Sequence, residues 1–244
     1  MTTNSADARK VVAAAKQFDR VVMVAFQRRF SPAELIVKEA VSAGAIGQPN
    51  FLRMRFSHGG PELWAPGQNW FFSESEAGGG ALLDLGIHII DLALWMMGPA
   101  ISVVAETAKT RERTQVEDSG AVILKFASGA IGVIEASWSS MPGITCIEIY
   151  GDKGRIMMGY PRLDIRVQQS DGTEVAGYSR DEIRTRIGPV DYFAPIRTLA
   201  KTFVQAAQRA GPSQPNAEDG MRAVEAIEAA YLSAATGARV KLPL

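Results

Sequence analysis

The segment GGGALLDLGIHIIDLALWMMG, residues 78–98, most constrains how this 244-residue chain can fold. Its leucines, isoleucines and methionines predict a largely buried helix. Asp84, His88 and Asp91 interrupt the apolar residues, and three glycines precede them. A buried carboxylate is costly unless it is paired, hydrogen-bonded or open to a solvated cavity. The fold therefore has to supply partners or a cavity for these polar side chains.

The spacing of the three polar residues predicts that they share one face of the helix. Positions i, i+4 and i+7 lie on one side of an α-helix, as Asp84, His88 and Asp91 do. In a structural interpretation, His88 is a core histidine hydrogen-bonded to Asp84 or Asp91. In a functional one, Asp84 orients and polarises His88, which exchanges a proton with a substrate hydroxyl. The spacing alone does not distinguish the two.

The glycines at 78–80 also have two interpretations. Glycines at a helix N-terminus let a ligand approach free backbone N–H groups, which would make Gly79 and Gly80 candidate cofactor contacts. The same residues would serve a tight turn. The sequence contains neither GxGxxG nor GxxxxGK[ST], so this triplet is not a phosphate-binding loop.

Composition excludes several classes of function. Lys+Arg and Asp+Glu number 26 each, so no net charge draws the chain to nucleic acid or to an anionic membrane. The single cysteine, Cys146, excludes an intrachain disulfide and a cysteine zinc cluster. Two histidines without HExxH spacing predict no metal site. The first ten residues lack a signal-peptide core, and the apolar stretch at 87–97 is too short to span a bilayer. We expect a cytoplasmic protein.

The first 30 residues predict a helix followed by an isolated strand. A helix begins after Asn4 or Ser5, and RVVMVAF, residues 20–26, has the continuous apolar character of a parallel strand covered on both faces. One such strand needs neighbours along both edges. A second helix is predicted to begin at Pro32, with Ser31 as its N-cap.

From Phe51 onward the sequence predicts alternating strands with hairpins at ASGA and GDKG. Two helices follow, and the last one carries Met221, Val224, Ile227 and Tyr231 at helical spacing. The expected fold is α+β, with a mainly antiparallel open sheet and helices packed on one face.

Several motifs together resemble the Gfo/Idh/MocA oxidoreductases, the family of glucose-fructose oxidoreductase and inositol dehydrogenase. The most specific is AGGGALLDLGIHIIDLALWMMG; the others are VAFQRRFSPA, GAIGQPNFLRMRFSHGGP, IEIYGDKGRI and RVKLPL. The resemblance covers essentially the whole chain. It implies the C-terminal α/β domain of an NAD- or NADP-dependent dehydrogenase that acts on a sugar, cyclitol or similar polyhydroxy compound. It also implies a homo-oligomer, a dimer or tetramer, formed through the open sheet.

The resemblance also implies roles for particular residues. The residue matching His88 is the proton donor or acceptor, and the one matching Asp84 binds substrate hydroxyls and orients the histidine. It leaves Asp91 with a structural role. The positions that usually face substrate and nicotinamide, or form the walls of the pocket, correspond to Arg28, Arg29, His58, Trp70 and Tyr192.

The chain departs from the family pattern in one respect. The glycine-rich dinucleotide loop and the Glu-Lys-Pro motif of the family are absent from this sequence. We therefore expect residues 1–27 to be a remnant of a dinucleotide-binding Rossmann domain, and 28–244 to be the substrate-binding and oligomerisation domain. We also expect this chain alone to bind dinucleotide poorly or not at all. Two alternatives are a non-catalytic dimerisation or regulatory domain, and cofactor-free enolisation or dehydration by Asp84 and His88.

Overall fold

A computed structural model describes residues 1–160, 164–178, 181–182, 191, 193–209, 211 and 213–244. Within those residues the strands form one nine-stranded sheet. The strands are β1 Pro49–Ser57, β2 Ala100–Ala108, β3 Ser119–Phe126, β4 Ile131–Ser137, β5 Ile144–Gly151, β6 Gly154–Tyr160, β7 Asp164–Gln169, β8 Glu174–Tyr178 and β9 Val240–Lys241.

The sheet is almost entirely antiparallel, as the sequence predicts. Its strand order is β8-β7-β6-β5-β1-β4-β3-β2-β9, and only β1 and β4 pair in parallel. The hairpins at ASGA and GDKG join β3 to β4 and β5 to β6. The parallel pair is central, and the chain that leaves β1 passes through the glycine-led helix before returning to β2. The α+β expectation is confirmed.

Six helices lie in the described part of the chain. They are α1 Ser5–Gln17, α2 Pro32–Ser42, α3 Glu74–Ala77, α4 Ile87–Met97, α5 Ala194–Arg209 and α6 Ala217–Thr236. The cap expected at Asn4 forms, and a capping box that the sequence analysis did not predict begins α6. The side chain of Asn4 accepts a hydrogen bond from the N–H of Asp7, and Asn216 and Asp219 form a reciprocal capping box. Helix α1 packs on α6, which in turn packs on β2.

Helix α4 is the buried centre of the helical layer. Ile89, Ile90 and Leu92 are fully buried, and the helix packs on β1 and β4. Burying one such side chain contributes about 1.5 to 3 kcal/mol. The helical run Glu74–Met97 is long and apolar enough to cross a membrane by composition, but most of its residues are buried within the fold. Packing against the sheet therefore accounts for its apolar character.

The opposite face of the sheet lacks a helical layer in the part of the chain that the structure describes. Along β1, Leu52 and Met54 point to the buried face, whereas Arg53 points away and pairs with Glu135 of β4 at 2.8 Å. Large apolar side chains on this open face remain partly exposed: Phe51, Ile101, Ile123 and Ile131.

The predicted strand at 20–26 does not form, and that prediction was wrong. The segment makes only an isolated bridge, between Met23 and Asn216, and the N–H of Val24 donates to the carbonyl of Pro215. No strand of the described sheet runs beside it, so its backbone lacks the ladder that a strand requires. The domain boundary at residue 27 stays a prediction.

A buried ion pair joins the turn before α2 to α4. Arg29 donates from Nε and Nη2 to the two carboxylate oxygens of Asp91, at 2.8 and 2.6 Å, and its Nη1 lies 3.3 Å from Asp219. Arg29 and Asp91 are 7% and 1% exposed. Burial raises the pKa of Asp91, and the Arg29 guanidinium opposes that rise. Asp91 therefore acts as a structural group that holds α4 in place.

Replacing Asp91 by Ala should lower the free energy of unfolding by about 3 to 5 kcal/mol, because it leaves the Arg29 charge buried beside only Asp219. Urea unfolding measures the loss. The control is Asp164→Ala, which removes a largely exposed partner of Arg166 and should cost less than about 1 kcal/mol. Equal losses in the two variants would contradict this assignment.

Candidate functional site

The glycine turn before α4 is held by contacts within the protein. The Gly80 N–H donates to both carboxylate oxygens of Glu117 at 3.1 and 3.0 Å, and the Leu82 N–H donates to one of them at 2.9 Å. A Cβ on Gly80 would collide with the backbone oxygen of Glu117, and one on Gly79 would collide with the Tyr231 hydroxyl. These close approaches explain why glycine occupies both positions. The N–H of Gly80 already donates to Glu117, so it is not free to bind a ligand.

The helix that carries Asp84 begins with a π turn, where the sequence predicts regular α-helix. The π turn spans Leu82–Gly86 and continues directly into α4. Gly86 lies where a Cβ would press into Leu82 and approach Ala136 of β4. π turns are uncommon in proteins, and they frequently occur at functional sites. The irregular backbone places Asp84 at the start of the helix, inside the turn.

The carboxylate of Asp84 is held by a tryptophan that sequence reasoning missed. The Trp138 indole Nε1–H donates to Asp84 Oδ2 at 3.0 Å, and Trp138 is 1% exposed. Burial raises the pKa of Asp84, and the indole hydrogen bond opposes the rise. The only signal in the sequence was a tryptophan near the end of the predicted strand stretch SGAVILKFASGAIGVIEASWSS, which does not reveal a partner 54 residues away.

His88 has a buried nitrogen without a partner. Its Nδ1 makes no hydrogen bond to any of the described residues, and its ring meets Phe26 edge-on at 6.1 Å. Neither Asp84, which bonds Trp138, nor Asp91, which bonds Arg29, supplies the hydrogen bond of the structural interpretation. Burial, with the nearby positive charge of Arg28, lowers the pKa of His88 to about 4. The imidazole is therefore neutral at pH 7.

Asp84 and His88 line one cavity of about 440 Å³. Its other walls include Phe26, Trp70, Phe71 and Trp138, together with residues 1–3. Trp70, predicted as a pocket wall, stacks on Phe71 with ring centroids 3.8 Å apart. The volume lies in the range of small-molecule sites, and a mostly apolar wall with a few polar groups is their usual construction.

The predicted arginines lie beside this cavity and do not line it. Arg28 pairs with Glu34 at 2.8 Å and lies over the Phe56 ring at 4.6 Å, and its Nε is buried without a partner among the described residues. Arg29 is committed to Asp91 and Asp219.

His58 is not brought to the cavity. His58 packs edge-on against Phe56 at 5.9 Å, and its Nδ1 accepts a hydrogen bond from the Gly60 N–H at 2.9 Å. Gly79 lines the cavity, whereas Gly80 does not. Tyr192 lies outside the described residues. Among the residues that the structure describes, no group of three His, Cys, Asp or Glu side chains could hold a metal ion.

Comparison with known proteins identifies the family. The GFO/IDH/MocA C-terminal domain family matches residues 35–157, which include β1, the glycine turn, Asp84 and His88. The chain belongs to this family. The matched residues carry the motif GGGALLDLGIHIIDLALWMMG.

Two curated relatives are dehydrogenases of polyhydroxy compounds. The chain is 28% identical to a D-apiose dehydrogenase of Paraburkholderia graminis, over 97% of this chain and 63% of that protein. It is 29% identical to the myo-inositol 2-dehydrogenase of Thermotoga maritima, over 92% of this chain and 65% of that protein. The chain thus spans slightly less than two thirds of the length of these relatives.

Solved structures show the same fold. A levoglucosan dehydrogenase in complex with NADH and levoglucosan superposes on all of this chain and 72% of its own, with a TM-score of 0.86 and 25% identity. An NAD binding oxidoreductase from Klebsiella pneumoniae gives a TM-score of 0.87 over 100% of this chain and 72% of its own, at 24% identity. At that identity the second match supports the fold alone.

Gly80→Ala should destabilise the protein by about 3 kcal/mol or more, because the new Cβ can only be accommodated by shifting backbone at Glu117. Thermal and urea unfolding measure the effect. Gly211→Ala is the matched control: no described residue lies within 4 Å of its Cβ position, so it should be neutral or slightly stabilising. Similar stability of the two variants would show that the turn is not tightly constrained.

The lowered pKa of His88 should make stability fall in mild acid. As the pH falls, the unfolded chain takes up a proton on this histidine near its ordinary pKa of about 6.5, whereas the folded protein does so only near pH 4. The contribution is therefore complete above pH 6.5 and is lost as the pH falls towards 4.

Between pH 7 and pH 4, the wild type should lose about 2 to 3 kcal/mol more stability than His88→Gln. Urea unfolding across this range measures the difference, and His58, whose pKa is lowered in both proteins, cancels from it. Parallel pH profiles for the two proteins would contradict the assigned pKa.

Proposed function

We propose that the protein acts as an NAD- or NADP-dependent oxidoreductase on a sugar, cyclitol or similar polyhydroxy compound. The observation that carries the proposal is the neutral, incompletely bonded His88 beside the Asp84 carboxylate in a cavity with aromatic walls. Known relatives named as dehydrogenases of D-apiose, myo-inositol and levoglucosan support the same substrate class.

His88 supplies the proton-transfer step of the proposed reaction. A neutral imidazole accepts the proton of a substrate hydroxyl as the carbon is oxidised, and returns it in the reverse direction. Asp84 has one oxygen bonded to Trp138, which leaves the other to accept a hydrogen bond from a substrate hydroxyl. Trp138 thereby keeps the carboxylate from rotating. Holding substrate and base in one geometry contributes several kcal/mol towards the barrier.

The nicotinamide, when bound, supplies the acceptor or donor of hydride. The aromatic walls of the cavity fit a flat nicotinamide ring and the apolar face of a sugar. The sequence has no GxGxxG, and we assign the dinucleotide phosphates to no residue of this chain. We propose that this chain alone binds dinucleotide weakly.

The cavity favours an uncharged substrate. Its described lining contains one carboxylate, one neutral imidazole and two threonines, and no lysine or arginine. A phosphate or carboxylate group on the substrate would therefore meet the Asp84 carboxylate with no lysine or arginine of the described lining beside it, and with the N-terminal ammonium of Met1 as the nearby positive charge. Hydroxyl groups suit the carboxylate and imidazole as hydrogen-bond donors.

Adding neutral polyols to the protein with isotopically labelled histidine should shift the NMR signals of His88 and leave those of His58 unchanged. Levoglucosan and myo-inositol are suitable probes, with a sugar phosphate as the negative control. In the same samples, reduction of NAD⁺ or NADP⁺ should depend on the polyol when followed at 340 nm, with the dinucleotide supplied at high concentration because this chain is proposed to bind it weakly. A protein that shows neither the His88 shift nor turnover would overturn the proposal.

His88→Gln and Asp84→Asn separate the roles of the two side chains. Loss of the general base should lower kcat by about 10²- to 10⁴-fold, with a smaller effect on KM. Asp84→Asn should weaken polyol binding, because the amide is a poorer acceptor than the carboxylate. Turnover without any nicotinamide would instead favour the enolisation or dehydration alternative.

We further propose that the open face of the sheet joins copies of this chain into a dimer or tetramer. The partly exposed apolar side chains on β1 to β4 support this, because an exposed apolar patch on a protein surface commonly marks an interface. Light scattering after size exclusion should give a mass above that of one chain. Replacing Ile123 and Ile131 together by Glu should return the protein to a monomer.

A further inference from the structure

We propose that Glu117, in the loop just before β3, is a positioning residue for the Asp84/His88 site. This role rests on the function proposed above, because it concerns the placement of the residues that carry it. Glu117 lies outside the cavity that contains them. It would act through the backbone of the segment that carries Asp84 and His88, which begins at the glycine turn.

Glu117 collects the hydrogen bonds at the beginning of that segment. Its carboxylate accepts from the N–H groups of Gly80 and Leu82, and its backbone oxygen accepts from Ala81 at 3.0 Å. Three consecutive donors are thereby fixed by one residue. The Tyr231 hydroxyl of α6 donates to the same carboxylate at 2.9 Å, which locks its orientation.

The next residue holds the opposite side of the site. The backbone oxygen of Asp118 accepts from the N–H of Trp138 at 2.7 Å, and the Trp138 indole in turn bonds Asp84. The Asp118 carboxylate is itself fixed by the N–H groups of Thr110 and Arg111, at 2.6 Å each. Residues 117 and 118 therefore tie both the helix start and the partner of Asp84 to one short segment that leads into β3.

A turn alone would not need a buried carboxylate at this position. Burial raises the pKa of Glu117, which is the mark of a group that is costly to desolvate as an anion. Its backbone donors and the N-terminal end of the helix stabilise the negative charge. The hydrogen bonds offset the cost of burying the charge. Their side-chain and turn donors are the N–H groups of Gly80 and Leu82 and the Tyr231 hydroxyl of α6, and the glycine turn leads directly to Asp84.

The titration of His88 tests this role, because the chain has only two histidines and His58 serves as an internal reference. In Glu117→Ala, loosening of the turn should let water reach His88, and its pKa should rise from about 4 towards the ordinary value of about 6.5. The Trp138 indole N–H signal should move as its bond to Asp84 weakens, while the His58 titration stays unchanged.

Glu117→Gln keeps one acceptor oxygen and should give the same changes with smaller size. The control is Glu112→Gln, an exposed glutamate five residues earlier in the chain, which should alter neither signal. If Glu117→Ala does not fold, Glu117→Gln decides the question. A folded variant in which the His88 titration and the Trp138 signal match the wild type would overturn the proposal.

The same samples separate this proposal from the proposed function. A wild-type protein that fails to bind polyols contradicts the function, whereas the His88 titration in the Glu117 variants still reports on positioning. Normal polyol binding in the wild type with an unchanged titration in Glu117→Ala contradicts the positioning role alone.

Discussion

The site depends on how the buried segment from Gly78 to Met97 satisfies the polar groups that it takes out of water. Asp91 is neutralised by Arg29, the first N–H groups are accepted by Glu117, and Asp84 is bonded by Trp138. Each partner comes from a different part of the chain, so the helix can occupy only the position in which all of these bonds form together. Leaving any one of them unmade would cost about 1 to 3 kcal/mol, and more for the charged groups.

The exception is His88, whose Nδ1 stays without a partner in an otherwise satisfied segment. A core histidine that served only packing would gain stability from a hydrogen bond, and two carboxylates on its own helix were available by sequence spacing. The fold directs both of them elsewhere. Leaving Nδ1 buried and unpaired is costly for stability, whereas an imidazole on a cavity wall suits proton exchange with a substrate.

The parts of this structure that could be predicted from sequence are those set by local pattern. Strand alternation and the turns ASGA and GDKG predicted the sheet, and the spacing of Asp84 and His88 marked two residues that share a cavity. Glu117 and Trp138 were missed because their partners lie 35 or more residues away, where no local periodicity connects them. The role of the glycines was open for the same reason: a collision with Glu117 depends on the tertiary fold. The apolar run at 20–26 led to a wrong prediction of a strand, because its composition is typical of a buried strand but does not show whether another strand lies beside it.

Burial shifts the pKa values of Asp84 and His88 in opposite directions, and the partners of the two side chains favour a different role for each. Burial raises the pKa of the carboxyl and lowers that of the imidazole, so both are drawn towards their neutral forms. The indole bond limits the effect on Asp84, whereas Arg28 adds to it on His88. The result is a neutral base beside a carboxyl group that accepts a hydrogen bond from Trp138. A substrate hydroxyl can donate to Asp84 while a neighbouring hydroxyl gives its proton to His88, and the two groups need not bond each other to cooperate.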